Sequence, residues 1–226
     1  MIRQKLSERK LPNYTKGEEI MNMVSHIIGS VAGVVSLTLG LVIAVWFGDG
    51  YSLAGALCYG ISMILLYTFS SIYHGLGPNL LAKKVMQIID HCSIFILIAG
   101  TYTPIVLCSI RQYSPSLAWI LFGVVWAAAI LGITLNSLDI SRYKKFSAAC
   151  YLLMGWCIVF AYPALGFLRA KGGMGLLLAG GISYTVGAGF YYFLKKKRYM
   201  HSVFHLFVLA GSILHMLYIL LYVLRV

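Results

Sequence analysis

The sequence contains few charged residues and very few acidic ones. Only 11% of its 226 residues are charged, and Asp and Glu together number 6, whereas roughly a quarter of the residues of an ordinary soluble domain are charged. Hydrophobic residues make up 60% of the chain. This composition excludes a water-soluble globular domain and an intrinsically disordered chain, because both need far more polar surface.

Cysteine is scarce, and its spacing argues against Cys-based sites. The five cysteines stand singly in apolar stretches, with no CxxC or CxxxC pair; they are Cys58, Cys92, Cys108, Cys150 and Cys157. A disulfide scaffold or a Cys-based zinc site is therefore not expected. Residues 1–19 are polar and basic rather than apolar, so no cleaved signal peptide is expected either.

Seven apolar stretches are long enough to cross a bilayer, for which a helix needs about 20 mostly apolar residues. The stretches are 22–47, 51–74, 85–109, 116–137, 146–168, 173–194 and 201–223. Turn residues such as Gly, Pro, Ser and Asp separate them. The sequence therefore predicts an all-α, seven-transmembrane helix bundle, with residues 1–17 as an N-terminal tail and residues 18–226 as a single membrane domain.

The distribution of Lys and Arg predicts the orientation of this bundle. The N-terminal tail and the second, fourth and sixth loops carry 14 of the 18 basic residues. Because positively charged flanks stay in the cytoplasm, the N-terminus is expected there and the C-terminus outside. The net charge of +12 is divided into short clusters, so the bilayer rather than nucleic acid is the expected partner. The basic run 195–198 is expected to anchor the topology and contact anionic lipid.

Ionisable residues at one end of the predicted helices mark a candidate site, because such residues are costly in a membrane. His74 lies at the end of the second helix, whereas Asp90 and the pair His201 and His205 lie near the beginnings of the third and seventh. These ends face the same side of the membrane. Residues that are distant in the sequence are therefore expected to share one depth.

The spacing of the histidines predicts a zinc site. His201 and His205 are four residues apart, so they lie on one helix face, about 6 Å apart along the axis. With His74 they supply three ligands and leave the open fourth position that is typical of catalytic zinc. Asp90 is then expected to act as general base or to accept a hydrogen bond from the metal's water, and Ser70 to orient this water or stabilise an oxyanion. The alternative is that the histidines form only interhelical hydrogen bonds.

Other polar residues are assigned supporting roles. Three on one face of the first helix are interpreted as a capping and interhelical polar stripe, with direct chemistry as the alternative: Glu19, Asn22 and His26. His215 lies about 15 Å deeper than the histidine pair, so a structural hydrogen bond is expected for it. His91 is expected to pack against another helix or to support the site.

Four motifs in this order resemble the haemolysin III family, the bacterial branch of the progestin and adipoQ receptor superfamily. They are Glu19-x2-Asn22-x3-His26, Ser70-Ser71-x2-His74, Asp90-His91-x7-Ala99-Gly100-Thr101-Tyr102-Thr103-Pro104 and His201-x3-His205-x9-His215. The resemblance covers about residues 18–220 and implies a multi-pass protein of the bacterial plasma membrane. It also implies that the three histidines hold Zn²⁺ near the cytoplasmic face. Ser25 stands where Thr often precedes the first-helix histidine.

Three functions are compatible with this resemblance. The first is a zinc-dependent hydrolase of a lipid amide or ester bond, since the superfamily is also similar to alkaline ceramidases. The second is a non-enzymatic sensor or regulator of membrane state with structural zinc, for which a membrane lipid is a ligand rather than a substrate. The third, suggested by the family name, is a cytolysin. The chain has too little polar surface for a secreted pore former, so any haemolytic effect is expected to be indirect. No oligomeric state is indicated.

Overall fold

The computed structural model describes residue 6 and residues 9–194 and 197–225, and its regular structure is helical. The helices are α1 (Lys16–Phe47), α2 (Gly50–Gly75), α3 (Leu81–Pro104), α4 (Arg111–Tyr113), α5 (Pro115–Gly155), α6 (Tyr162–Lys171), α7 (Met174–Leu194) and α8 (Met200–Tyr218). The described residues contain no strand, so the all-α prediction is confirmed. Arg3 and Lys5 of the tail and Lys195 and Lys196 of the basic run lie outside the described residues.

Six helical segments of the described chain are long and apolar enough to cross a membrane. They are Lys16–Phe47, Gly50–Gly75, Leu81–Tyr113, Pro115–Lys171, Met174–Leu194 and Met200–Val223. The predicted fourth and fifth spans fall together in the fourth segment, which has 57 residues. A straight helix of this length would measure about 86 Å, far more than the hydrocarbon core of about 30 Å.

The 57-residue segment is interrupted at Asp139, whose backbone is extended at φ −160° and ψ 94°. Its Oδ1 accepts hydrogen bonds from the backbone N–H groups of Ser141 and Arg142, both at 3.0 Å, so it caps a new helix at once. Ser147 Oγ donates to Asn136 Oδ1 at 2.6 Å, although these two residues would lie about 16 Å apart along a straight helix. The chain therefore folds back at Asp139, and the predicted fourth loop is largely helical.

Local caps and turns set the ends of the helices. Thr15 and Glu18 form a capping box, in which Glu18 Oε2 accepts from the Thr15 backbone N–H at 2.8 Å, so α1 begins at Lys16, six residues before the apolar stretch 22–47. Asp49 caps α2 with its carboxylate. The turn between α6 and α7 has φ values of 93° and 72° at Gly172 and Gly173, a region that residues with a Cβ rarely adopt.

Tyrosine hydroxyls connect α2, α7 and α8 in the interior. Tyr67 is fully buried and donates to Ser212 Oγ at 2.7 Å. Tyr184 shares a hydrogen bond with the same oxygen at 2.7 Å, and Tyr59 donates to the Ser212 backbone carbonyl at 2.9 Å. These bonds satisfy polar groups that would be costly if left unpaired in a membrane interior. None of the five cysteines, all of which are described, forms a disulfide.

The close approach of α1 to Tyr67 depends on Gly29, where an added Cβ would lie 2.2 Å from the ring. Gly29→Ala is expected to destabilise the protein by about 1–3 kcal/mol through overpacking, lowering its melting temperature in detergent by several degrees. Gly123→Ala on α5 is the matched control, because a Cβ there has nothing within 4 Å and alanine favours the helix. Equal melting temperatures for the two variants would contradict the close packing of α1 on Tyr67.

Candidate metal centre

Three histidines from two helices converge at one end of the bundle. His74 lies in the last turn of α2, and His201 and His205 lie in the first two turns of α8. Each offers a ring nitrogen, and the three nitrogens lie within 4.8 Å of one another. The four-residue spacing in α8 places its two imidazoles on one face, with their Nε2 atoms 3.0 Å apart. The structure therefore brings together the three residues expected to be metal ligands.

The donor set fits a metal ion. His74 is 2% exposed, and its Nε2 has no hydrogen-bond partner among the described residues. A buried nitrogen without a partner is costly, and coordination would satisfy it. The 3.0 Å between the Nε2 atoms of His201 and His205 is close to the roughly 3.3 Å that separates two nitrogens bound tetrahedrally to one zinc. These three residues could hold a metal ion.

A chain of charged groups orients the His74 ring. Its Nδ1 lies 2.6 Å from Glu19 Oε2, and Lys83 Nζ donates to Glu19 Oε1 at 2.8 Å. Lys83 is 1% exposed and also donates to the Leu76 carbonyl at 2.8 Å. Because the carboxylate favours a proton on Nδ1, the lone pair of Nε2 is free to face a metal. Such a carboxylate–histidine pair commonly fixes the tautomer and raises the basicity of a metal ligand.

The rest of the α1 polar stripe also reaches the histidines. Asn22 Nδ2 lies 3.5 Å from His74 Nδ1, and Asn22 Oδ1 accepts from Ser202 Oγ of α8 at 2.6 Å. The His26 ring stacks on His205 with 3.8 Å between centroids and 14° between planes. The stripe therefore contacts both α8 and the candidate metal ligands.

Asp90 and Ser70 lie near the three histidines without belonging to the group. The Asp90 carboxylate interacts electrostatically with four histidines: His91, His74, His26 and His201. Its Oδ2 lies 3.6 Å from His91 Nδ1, which lies closer, at 2.9 Å, to the Gln87 backbone oxygen. Ser70 precedes His74 by one helical turn, and its buried hydroxyl has no partner within the described part of the chain.

His215 lies apart from this group. Its Nε2 is 3.0 Å from the backbone carbonyl oxygen of Leu177 on α7, which is the structural hydrogen bond that the sequence predicts. The bond joins α7 to α8 where Gly180 leaves no room for a Cβ beside the His215 ring. His215 is thus a packing residue of the helix pair.

The N-terminal segment covers the histidines, which sequence reasoning missed. The Tyr14 ring stacks on His201, with 4.9 Å between centroids and 14° between planes. Burial is the main cause that raises the pKa of the Tyr14 phenol, and neighbouring Tyr73 raises it further. The Tyr14 ring therefore packs as a neutral aromatic group. Arg9 donates to Gln87 Oε1 at 2.7 Å and holds the segment against α3. Nothing in the sequence distinguishes Tyr14 from the other 15 tyrosines.

A cavity of about 490 Å³ opens beside His201. Residues 12–15 of the N-terminal segment form one wall, and Tyr191 contributes to another. Three basic side chains also line it: Lys144, Lys197 and Arg198. The cavity connects the candidate metal centre with the exposed basic residues at this end of the bundle.

Glu19→Gln is expected to weaken the affinity of the three histidines for added Zn²⁺ by about 10–100-fold, because the amide lacks the charge that supports His74 Nδ1–H. Asp139→Asn is a matched control that also exchanges a carboxylate for an amide, since Asp139 Oδ1 caps two backbone N–H groups instead of contacting a histidine and Asn is an equally good N-cap. Competition with a zinc chelator measures both affinities. Equal affinities in the two variants would show that Glu19 does not support the metal site.

The chain is similar to known proteins over most of its length. A family model described as haemolysin-III related matches residues 14–216. Hemolysin-3 of Bacillus cereus is 39% identical over 208 residues, 92% of either chain. The hemolysin-3 homolog of Bacillus subtilis (strain 168) is 34% identical over 213 residues, 94% of this chain and 98% of that protein. The human monocyte to macrophage differentiation factor is 27% identical over 166 residues, 70% of this chain and 65% of that protein.

Proposed function

Because the chain belongs to the haemolysin III family, the bacterial branch of the progestin and adipoQ receptor superfamily, we propose that this membrane protein is a zinc-dependent hydrolase of lipid amide or ester bonds. The observation that carries the proposal is the group of three converging histidine nitrogens. One of these histidines, His74, is held by the Glu19 carboxylate. Imidazole is a ligand that suits zinc. Three protein ligands favour catalysis, since structural zinc sites almost always have four.

The residues around the histidines support hydrolysis of an acyl bond. A bound zinc ion would polarise the lipid carbonyl and activate water for attack on it. Ser70 would donate a hydrogen bond to the carbonyl oxygen as this oxygen gains negative charge. Asp90 would accept a proton from the attacking water and pass it to the departing amine or alcohol. The carbonyl carbon gains the water oxygen and loses its C–N or C–O bond, which yields a fatty acid.

Release of fatty acid from defined lipids tests this proposal. The full-length protein is reconstituted with a ceramide and a phospholipid in separate vesicles, and the released acid is measured by mass spectrometry. Hydrolysis that stops with a chelator and returns with zinc is the expected result. A zinc-loaded protein that releases no fatty acid from any acyl lipid would overturn the hydrolase and leave the membrane-state regulator with structural zinc.

We further propose that the chain crosses the membrane seven times, with the N-terminus in the cytoplasm and residues 18–226 in a single membrane domain. The fold-back at Asp139 supports two crossings within the 57-residue segment. The side that carries most Lys and Arg supports the orientation. Alkaline phosphatase fused to the C-terminus should then be active, because it would be outside. A second fusion carries a reporter that fluoresces only in the cytoplasm at the same position. An inactive phosphatase together with a fluorescent second fusion would contradict the odd number of spans.

A further inference from the structure

Basic residues from two distant parts of the chain meet at the cavity beside His201. Lys144 comes from the second half of α5, and Lys197 and Arg198 precede α8. More than fifty positions separate the two groups in the sequence. The fold therefore brings two separate basic segments together to form one basic wall of the cavity. This wall lies next to His201, a candidate metal ligand.

The carboxylate that lines the cavity, Glu18, offsets only one of the three positive charges of this wall. Glu18 is already engaged, since Oε2 accepts from the Thr15 backbone and hydroxyl at 2.8 Å each and Oε1 accepts from the Tyr199 backbone at 2.7 Å. Arg198 interacts with it electrostatically. Within the described parts of the chain, however, none of the three cations lies within ion-pair distance of a carboxylate. The cavity retains an excess of positive charge.

The cavity is large enough for a small polar ligand. Its volume of about 490 Å³ falls within the range of roughly 300–1,000 Å³ for ligand pockets. Two aromatic rings border it, Tyr14 stacked on His201 and Tyr191 with its centroid 5.7 Å from that of His201. Lys144 Nζ lies 5.4 Å from the Tyr191 ring centroid. A polar group in the cavity would contact cations and aromatic faces while adjoining the histidines.

We propose that this cavity binds the phosphate of an anionic lipid headgroup, so that the substrate class is an acyl ester of a phospholipid rather than a neutral lipid. Arg and Lys are the side chains that bind phosphate in proteins, Arg through paired hydrogen bonds and Lys as a point charge. The ester carbonyl of an acyl phospholipid is only a few bonds from its phosphate. A phosphate in this cavity would thus hold the ester near His201, and the acyl chain would extend into the bilayer. The substrate assignment rests on the proposed hydrolase.

Binding to the protein in neutral detergent, with a chelator present so that the ester probes are not hydrolysed, tests the proposal without turnover. The probes are 1-oleoyl lysophosphatidate, its uncharged counterpart 1-monoolein, and glycerol 3-phosphate, and calorimetry gives each affinity. Lysophosphatidate should bind at least tenfold more tightly than the other two. Lys144→Gln with Arg198→Gln should weaken lysophosphatidate binding about 30-fold, the effect expected for two cations at a membrane surface. The affinity for monoolein should not change.

Arg142→Gln with Lys145→Gln is the matched control, because it removes two exposed cations of the same region that do not line the cavity. Equal weakening in both double variants would show only a general attraction to anionic lipid and would overturn the cavity site. Glycerol 3-phosphate binding as tightly as lysophosphatidate would assign the cavity to a soluble phosphate and overturn the lipid assignment.

The two proposals fail in different ways. Cavity-dependent binding of lysophosphatidate without fatty-acid release from any lipid would leave the phosphate site standing and remove the hydrolase. Release of fatty acid that is equal for charged and uncharged lipids, without cavity-dependent binding, would leave the hydrolase standing and remove the phosphate site.

Discussion

Replacing both His201 and His205 with alanine is expected to remove zinc completely, from about one ion per purified chain to none detectable. Their Nε2 atoms lie 3.0 Å apart, so both would bind the same ion and the variant would lose two of three protein ligands. Removal of a residue that merely supports a ligand costs about 10–100-fold in affinity. The loss of two ligands should exceed this by a wide margin, because one imidazole and solvent do not hold zinc against a chelating wash.

Elemental analysis of the detergent-purified protein measures this effect. His215→Ala is the matched control, since it removes an imidazole from the same helix that bonds Leu177 instead of the cluster, and it should retain zinc. Addition of a chelator should also lower the melting temperature of the wild-type protein, because a ligand that binds the folded state stabilises it. Absence of zinc from the wild-type protein, even when zinc is supplied during purification, would return the histidines to interhelical hydrogen bonding.

Asp90→Asn is expected to reduce fatty-acid release by about 10²–10⁴-fold, the usual contribution of a general base, while zinc remains bound. Asn keeps the size of the side chain and its capacity for hydrogen bonds but does not take up a proton. The carboxylate interacts with His26, His74 and His201 yet is not one of the converging ligands. The substitution should therefore act on turnover far more than on metal binding, and the pH profile of the residual activity should change.

Asp139→Asn provides the control for this experiment. Asp139 caps the helix after the fold-back, and Asn is an equally good N-cap, so activity and zinc content should stay at the wild-type level. Unchanged turnover in Asp90→Asn would eliminate Asp90 as the base. Loss of zinc together with turnover would instead assign Asp90 to the support of the metal ligands.

Much of the fold is determined by local sequence. Apolar stretches of sufficient length give the helices, because backbone groups in a bilayer must be bonded within their own segment. Short-range signals give the turns, such as the glycine pair between α6 and α7 and the Asp49 cap. Successive helices alternate in direction, so the end of α2 and the beginnings of α3 and α8 lie at the same end of the bundle. His74, Asp90 and the pair His201 and His205 therefore lie at that end. The common location of these residues was therefore predictable without coordinates.

Other boundaries depend on side-chain bonds that a hydropathy pattern does not report. The helix resumes directly after Asp139 because one carboxylate oxygen caps two backbone N–H groups. The chain consequently reverses at one extended residue between two helical stretches instead of entering the longer loop predicted between the fourth and fifth spans. The early start of α1 has the same origin in the capping box of Thr15 and Glu18.

The detailed composition of the site is decided by tertiary structure. Lys83 and Lys84 are adjacent and chemically identical in the sequence, yet only Lys83 is buried against Glu19. Tyr14 stacks on His201 because the N-terminal segment folds over the cluster. Helix rotation decides such contacts, and a helix that is apolar on nearly all faces contains no periodic signal to set its rotation. The amino-acid sequence by itself determined the helices and the shared depth of the histidines, whereas only interhelical packing determined which side chains orient and cover them.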